Sequence, residues 1–173
     1  MMEIQQISLL KKISINCMKI FRELSTNFIF IPYLLGFLGL IPFIYFSFID
    51  NYLQIFTLED RFTFIITYAA IILSFLGGIH WGVILLEVNN TEKYNRSRLR
   101  FTISVIPSVL GWVALFLHEY HGIILLLLSY LLILFYDFIT FRFANLFIWY
   151  FFLRSILTFI AVTSLLNIFY LLI

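Results

Sequence analysis

Charge is what this sequence has least of: Asp, Glu, Lys and Arg together make up 12% of its 173 residues, against 63% hydrophobic residues. A water-soluble domain of that length keeps too much of its chain at the surface to hide so much apolar material, so the solvent is predicted to be lipid. The net charge of +2 comes with no basic patch interleaved with stacking aromatics, which argues against a nucleic-acid partner. Cysteine is nearly absent too. Cys17 stands alone, with no second Cys and no His at ligand spacing, so a disulfide framework and a structural zinc site are both excluded. Also missing are GxSxG, a P-loop, a Rossmann glycine pattern, CxxC and HExxH, so an enzyme, a cofactor or a metal centre has no motif to rest on.

What the chain does have is long apolar runs. Runs of about 20 residues are needed to cross a hydrocarbon core of about 30 Å. Five are predicted, at 27–49, 62–86, 100–118, 122–139 and 146–172, giving an all-α polytopic bundle as one helical domain. The boundary between the last two is the weakest. Residues 1–26 form a different segment, basic and amphipathic, with Ile4, Ile7, Leu10, Ile13, Cys17, Phe21 and Leu24 at helical spacing. It lacks the pattern of a cleavable signal and is expected to lie along the membrane surface. Met1, Met2 and Met18 all remain open as the start.

Charge bias orients the spans. Lys11, Lys12, Lys19 and Arg22 precede the first, Lys93, Arg96, Arg98 and Arg100 separate the second from the third, and Arg142 separates the fourth from the fifth. The opposite loops contain only Arg61. Five spans put all three basic segments on one side, so the N-terminus is expected inside and the C-terminus outside.

Because lipid is as apolar as Leu, helices in a bilayer associate through small residues and polar contacts. The second span, TYAAIILSFLGGIHWGVILL, repeats Ala70, Ser74, Gly78 and Gly82 every fourth residue, with Gly77 beside them, and a neighbouring helix is expected along that ridge. Gly36 and Gly39 in the first span and Gly111 in the third are further packing positions. Pro42 and Pro107 predict local kinks near Leu38 and Ile103.

Ionisable residues in a span are costly unless paired or hydrated. His80 falls about 10 Å below the inner end of the second span at 1.5 Å per residue. A neutral imidazole there can bind a metal, relay a proton or hydrogen-bond across helices. Asp137 and Arg154 occupy inner-leaflet depth on the last two spans. A buried ion pair, or an arginine reaching back to the interface, accounts for both without any activity. Should His80 converge with them, an acid, a base and a cation would share one place, with Trp81, Ser74, Ser108, Tyr68 and Trp112 as candidate lining. His118 and His121 flank Glu119 in a loop, where solvated residues are the simpler reading than a metal site.

The motifs LLGFLGLIPF (34–43), YAAIILSFLGGIHWGV (68–83), SVIPSVLGWVALFL (104–117) and LRSILT (153–158) together resemble the domain of unknown function 3429 family, which includes bacterial inner-membrane proteins and the eukaryotic transmembrane protein 69 group. SFLGGIHWG, Ser74 to Gly82, is the specific part. The resemblance covers about residues 28–165 and implies an integral protein of the bacterial inner membrane, or alternatively the mitochondrial inner membrane, with no assigned activity.

Two kinds of function fit. The first is a non-enzymatic membrane component, an assembly, scaffold or accessory subunit that works through helix contacts with the bilayer, with copies of itself or with other membrane proteins. The alternative is a small proton-coupled transporter or carrier built on His80, Asp137 and Arg154. A membrane-embedded enzyme ranks last.

Overall fold

A computed structural model describes residues 30–87, 94–144 and 148–173. The amphipathic segment 1–26, with Cys17 and the alternative starts, lies outside the described residues. The chain divides into two units, Met1–Leu38 and Gly39–Ile173. In the first, residues 30–38 form helix α1, which carries Gly36. The second holds α2 (Ile41–Ile44), a π-helical turn (Tyr45–Ile49), α3 (Asp50–Leu53), α4 (Leu58–Glu87), α5 (Tyr94–Ala114), α6 (Glu119–Ala144) and α7 (Ile148–Leu172). No strand occurs among the described residues.

Among the described residues four helical stretches are long and apolar enough to cross a membrane: Phe30–Leu53, Leu58–Gly82, Glu119–Thr140 and Trp149–Leu172. The third expected span differs. Its helix breaks after Ala114, four residues before the predicted end, and its apolar part is Leu99–Ala114. Arg96, Arg98 and Arg100 occupy its opening turns, which is why the apolar stretch is short. The first span is interrupted at Gly39–Leu40, just ahead of Pro42 near the start of α2, where a missing N–H costs nothing. Pro107 lies inside α5, which is helical on both sides of it.

In the second unit α4 to α7 run alternately up and down. Ala70 meets Gly111, Ser74 meets Ser108 and Trp81 meets Phe101 between α4 and α5. The Tyr130 hydroxyl of α6 donates to the Ala69 carbonyl at 2.9 Å, and that of Tyr120 donates to Leu172 at 2.6 Å. The core is built from stripes seven residues apart, the spacing of knobs-into-holes packing. Phe62, Ala69 and Leu76, with Ile66 and Leu73, form the stripe of α4; Ile123 and Tyr130, with Leu126 and Ile133, that of α6; and Ala161 and Ile168, with Leu165, that of α7.

Small residues set how closely α5 approaches. A methyl group on Gly77 would overlap the Ser104 carbonyl, and one on Gly111 would come within 3.0 Å of the Ala70 carbonyl. Gly78 and Gly82, expected to continue the contact ridge, do not: both face outward with open space where a Cβ would stand. The physical reason is helical twist. Contact with an antiparallel neighbour drifts from Ala70 and Ser74 to Gly77, a step of three, whereas a strict step of four rotates away from it. Gly39 serves through its backbone, its carbonyl accepting the Tyr68 hydroxyl at 2.9 Å.

A candidate intramembrane charge site

The three core stripes end in polar residues at one end of the bundle. Continuing 66, 73 by seven gives His80; continuing 123, 130 gives Asp137; and stepping back from 161 and 168 gives Arg154. The same register that brings the apolar residues together therefore brings these three into contact. Arg154 Nε donates to Asp137 Oδ2 at 2.9 Å, and His80 Nε2 lies 2.7 Å from Asp137 Oδ1. Each oxygen of one carboxylate thus faces a different basic group, and three helices are tied at one point. All three side chains are buried, His80 at 1% exposure, Asp137 at 3% and Arg154 at 5%. In that setting a buried charge without a partner costs several kcal/mol, and here the carboxylate and the guanidinium lie in direct contact.

Two further residues belong here that the sequence reading passed over. Tyr136 sets its ring 4.8 Å from that of His80, and Thr158 lies one turn beyond Arg154 on the same face of α7. The Tyr136 hydroxyl, the Thr158 hydroxyl and Arg154 Nη2 are all buried with no hydrogen-bond partner among the described residues. Thr158 was legible as a polar residue at a core position, seven before Leu165; Tyr136, beside the stripe, gave no such signal.

The other expected lining residues lie elsewhere. Trp81, next to His80 in sequence, turns outward at 46% exposure and meets Phe101 at the mouth of an open apolar groove of about 560 Å³. Trp112 is 62% exposed. The Ser74 and Ser108 hydroxyls bond each other at 2.9 Å, joining α4 to α5. His118 and His121 are both exposed, their rings 6.5 Å apart.

A second buried charge pair occupies the opposite end. Asp50, fully buried, lies 3.5 Å from Arg61, itself 6% exposed. The Asp50 carboxylate accepts the N–H groups of Ile55 and Phe56 at 3.1 and 3.3 Å, fastening a turn that Gln54 completes in the left-handed conformation at φ 50°. Arg61 donates to the Phe46 carbonyl at 2.8 Å and to the Ser47 carbonyl at 3.3 Å. The π-helical turn makes this possible, because i→i+5 bonding leaves carbonyls free for other donors. Ser47 takes Asn51 and Asn167 as well, and its own hydroxyl donates to the Ser164 carbonyl at 2.9 Å. The Thr57 hydroxyl exchanges hydrogen bonds with Asp60 in a capping box that starts α4 next to the turn.

Apolar helices able to cross a membrane several times, with charges buried only as pairs, define a multi-pass membrane protein. Over residues 30–170 the chain matches the family described as Protein of unknown function (DUF3429), and it belongs to that family. It is 34% identical over 134 residues to Transmembrane protein 69 of Xenopus tropicalis, an alignment covering 76% of this chain and 50% of that protein. The chain thus spans about half the length of the curated relative it matches. No solved structure matches it.

Proposed function

We propose that the protein is a small proton-coupled carrier of an inner membrane, with His80, Asp137 and Arg154 as its proton-handling site. The observation that carries this reading is the His80–Asp137 contact of 2.7 Å beside a second, arginine-held oxygen. Beside the Asp137–Arg154 pair stands the imidazole of His80, a side chain whose two ring nitrogens suit it to relaying a proton. The charge bias of the loops supports an N-terminus on the inner side, which puts the site in the inner leaflet. Purified protein in liposomes, with a pH-sensitive dye in the lumen and a valinomycin potassium potential, tests it. Proton flux above that of empty vesicles is expected, falling to the empty-vesicle rate in His80→Gln and Asp137→Asn while Tyr68→Phe stays near wild type. Flux indifferent to His80→Gln ends the proposal.

A second reading, the non-catalytic membrane component, is favoured by the outward face of α4, where Gly78, Trp81 and Gly82 stay uncovered. That face offers close approach to a second copy or to another membrane protein. Loss of oligomer or of co-purifying partners in a correctly inserted Gly78→Leu variant, with flux at background throughout, would favour it.

A further inference from the structure

We infer that the groove between α4 and α5 seats an anionic phospholipid, with one acyl chain lying in the groove and the phosphate at the arginine-bearing start of α5. The groove, of about 560 Å³, has Trp81 of α4 as one wall, its ring centroid 5.5 Å from that of Phe101, and is continued along α5 by Thr102, Val105, Val109 and Leu110. On α5 these residues recur at steps of three and four, the spacing of one helix face. From Phe101 to Leu110 the helix rises about 14 Å, close to half of a hydrocarbon core of about 30 Å. The groove therefore runs the depth of one leaflet, which is the reach of an acyl chain. Its mean cross-section over that length, about 40 Å², is roughly half that of a helix about 10 Å across, so a chain enters where a helix cannot.

Charge chooses among lipids. Stepping back along the groove face of α5 from Val109, Val105 and Thr102 leads to the position of Arg98, and Arg96 and Arg100 belong to the same opening turns. Residues 87–100 hold Lys93, Arg96, Arg98 and Arg100 against Glu87 and Glu92, a surplus of two positive charges, and α5 itself contains no acid. Past the other end, residues 111–118 contain no Lys or Arg. A zwitterionic headgroup meets that surplus with an ammonium of its own, whereas an anionic one offers phosphate alone, which arginine binds through two parallel N–H groups. Basic residues beside a membrane span attract anionic lipid on the same grounds. The lining is graded in the same direction. Trp81, whose indole suits the headgroup boundary, and Thr102, the one hydroxyl in the lining, lie at the arginine end, and the remainder is hydrocarbon. This seat does not depend on the proton-coupled reading.

Fluorescence quenching by brominated lipid tests this in the full-length protein. With Trp112→Phe and Trp149→Phe, Trp81 is the remaining indole. The protein is reconstituted in phosphatidylcholine with rising fractions of lipid brominated along its acyl chains, either phosphatidylglycerol or phosphatidylcholine. Half-quenching of Trp81 is expected at a fraction of brominated phosphatidylglycerol at least about fivefold lower than of brominated phosphatidylcholine, the worth of one basic residue at a lipid surface. A reference comes from α7: adding Trp81→Phe and Phe159→Trp moves the indole to a position that is 70% exposed, where the two lipids should quench alike. Arg96→Gln with Arg98→Gln should bring the Trp81 ratio towards one, and Arg98→Lys alone should keep most of it. Val105→Phe, at a position 42% exposed and so outside the core, should crowd the groove and weaken quenching by phosphatidylglycerol. A ratio near one at Trp81, the same ratio at position 159, or a ratio unmoved by both the arginine pair and Val105→Phe overturns the inference. Trp81 shielded from both lipids, together with cross-linked dimers, overturns it in favour of a second copy lying over the groove.

Discussion

The second unit buries two Asp–Arg pairs, one at each end, and they are built to opposite specifications. Around Asp50 and Arg61 hydrogen bonds are dense, with the Ser164 hydroxyl left over: the carboxylate holds two backbone N–H groups, the guanidinium holds two carbonyls, and Asn51 and Asn167 donate to the Ser47 carbonyl as well. Around Asp137 and Arg154, Arg154 Nη2 and the hydroxyls of Thr158 and Tyr136 find no acceptor among the described residues, and a histidine stands where the other pair has only backbone. A well-partnered buried network rigidifies a fold, whereas a buried polar group without a partner is costly in the same low dielectric. Identical residue types thus sit in a heavily hydrogen-bonded turn at one end and beside a histidine at the other.

Substitutions break or sharpen that contrast in a graded way. The largest effect is expected from Asp50→Ala, which leaves Arg61 uncompensated and unfastens the turn at Gln54; a loss of about 3–5 kcal/mol should appear as a lowered thermal midpoint in detergent. Next comes Gly77→Ala, whose methyl meets the Ser104 carbonyl; a loss of about 1–3 kcal/mol is expected, while Gly78→Ala one residue on should be neutral or slightly stabilising. Equal responses from the two glycines would contradict the described α4–α5 contact. Asn167→Leu should cost about 1 kcal/mol, since Ser47 retains other donors. Smallest in stability, at about 1 kcal/mol or less, is His80→Gln, which should nonetheless abolish proton flux. If His80→Gln unfolded the protein as Asp50→Ala does, the contrast between fastening and site would be lost.

Much of this architecture was legible before any coordinates, and the failures share a cause. Hydropathy found the helices because crossing a bilayer demands long apolar runs whatever the packing. His80, Asp137 and Arg154 stood out because each is expensive in lipid, and the sevenfold stripes explain why they meet. By charge bias Arg61 counts as a loop charge, and Asp50, just past the end of an apolar run, gives no signal of its own; the π-helical turn draws both inside. The ridge of Ala70, Ser74, Gly78 and Gly82 was followed one step too far, because composition shows where a helix is thin and not which side its neighbour takes. Trp81 was grouped with His80 by adjacency, although neighbouring residues on a helix point about 100° apart.

The shortness of α5 has a consequence for the surrounding lipid. Sixteen apolar residues, Leu99–Ala114, cover about 24 Å, roughly 6 Å less than a typical hydrocarbon core. Such hydrophobic mismatch is relieved by thinning the bilayer or by drawing headgroups inward on that flank. Arg100 at the start of the stretch would meet headgroups drawn inward there, close to the level where Trp81, next to His80 in sequence, packs on Phe101.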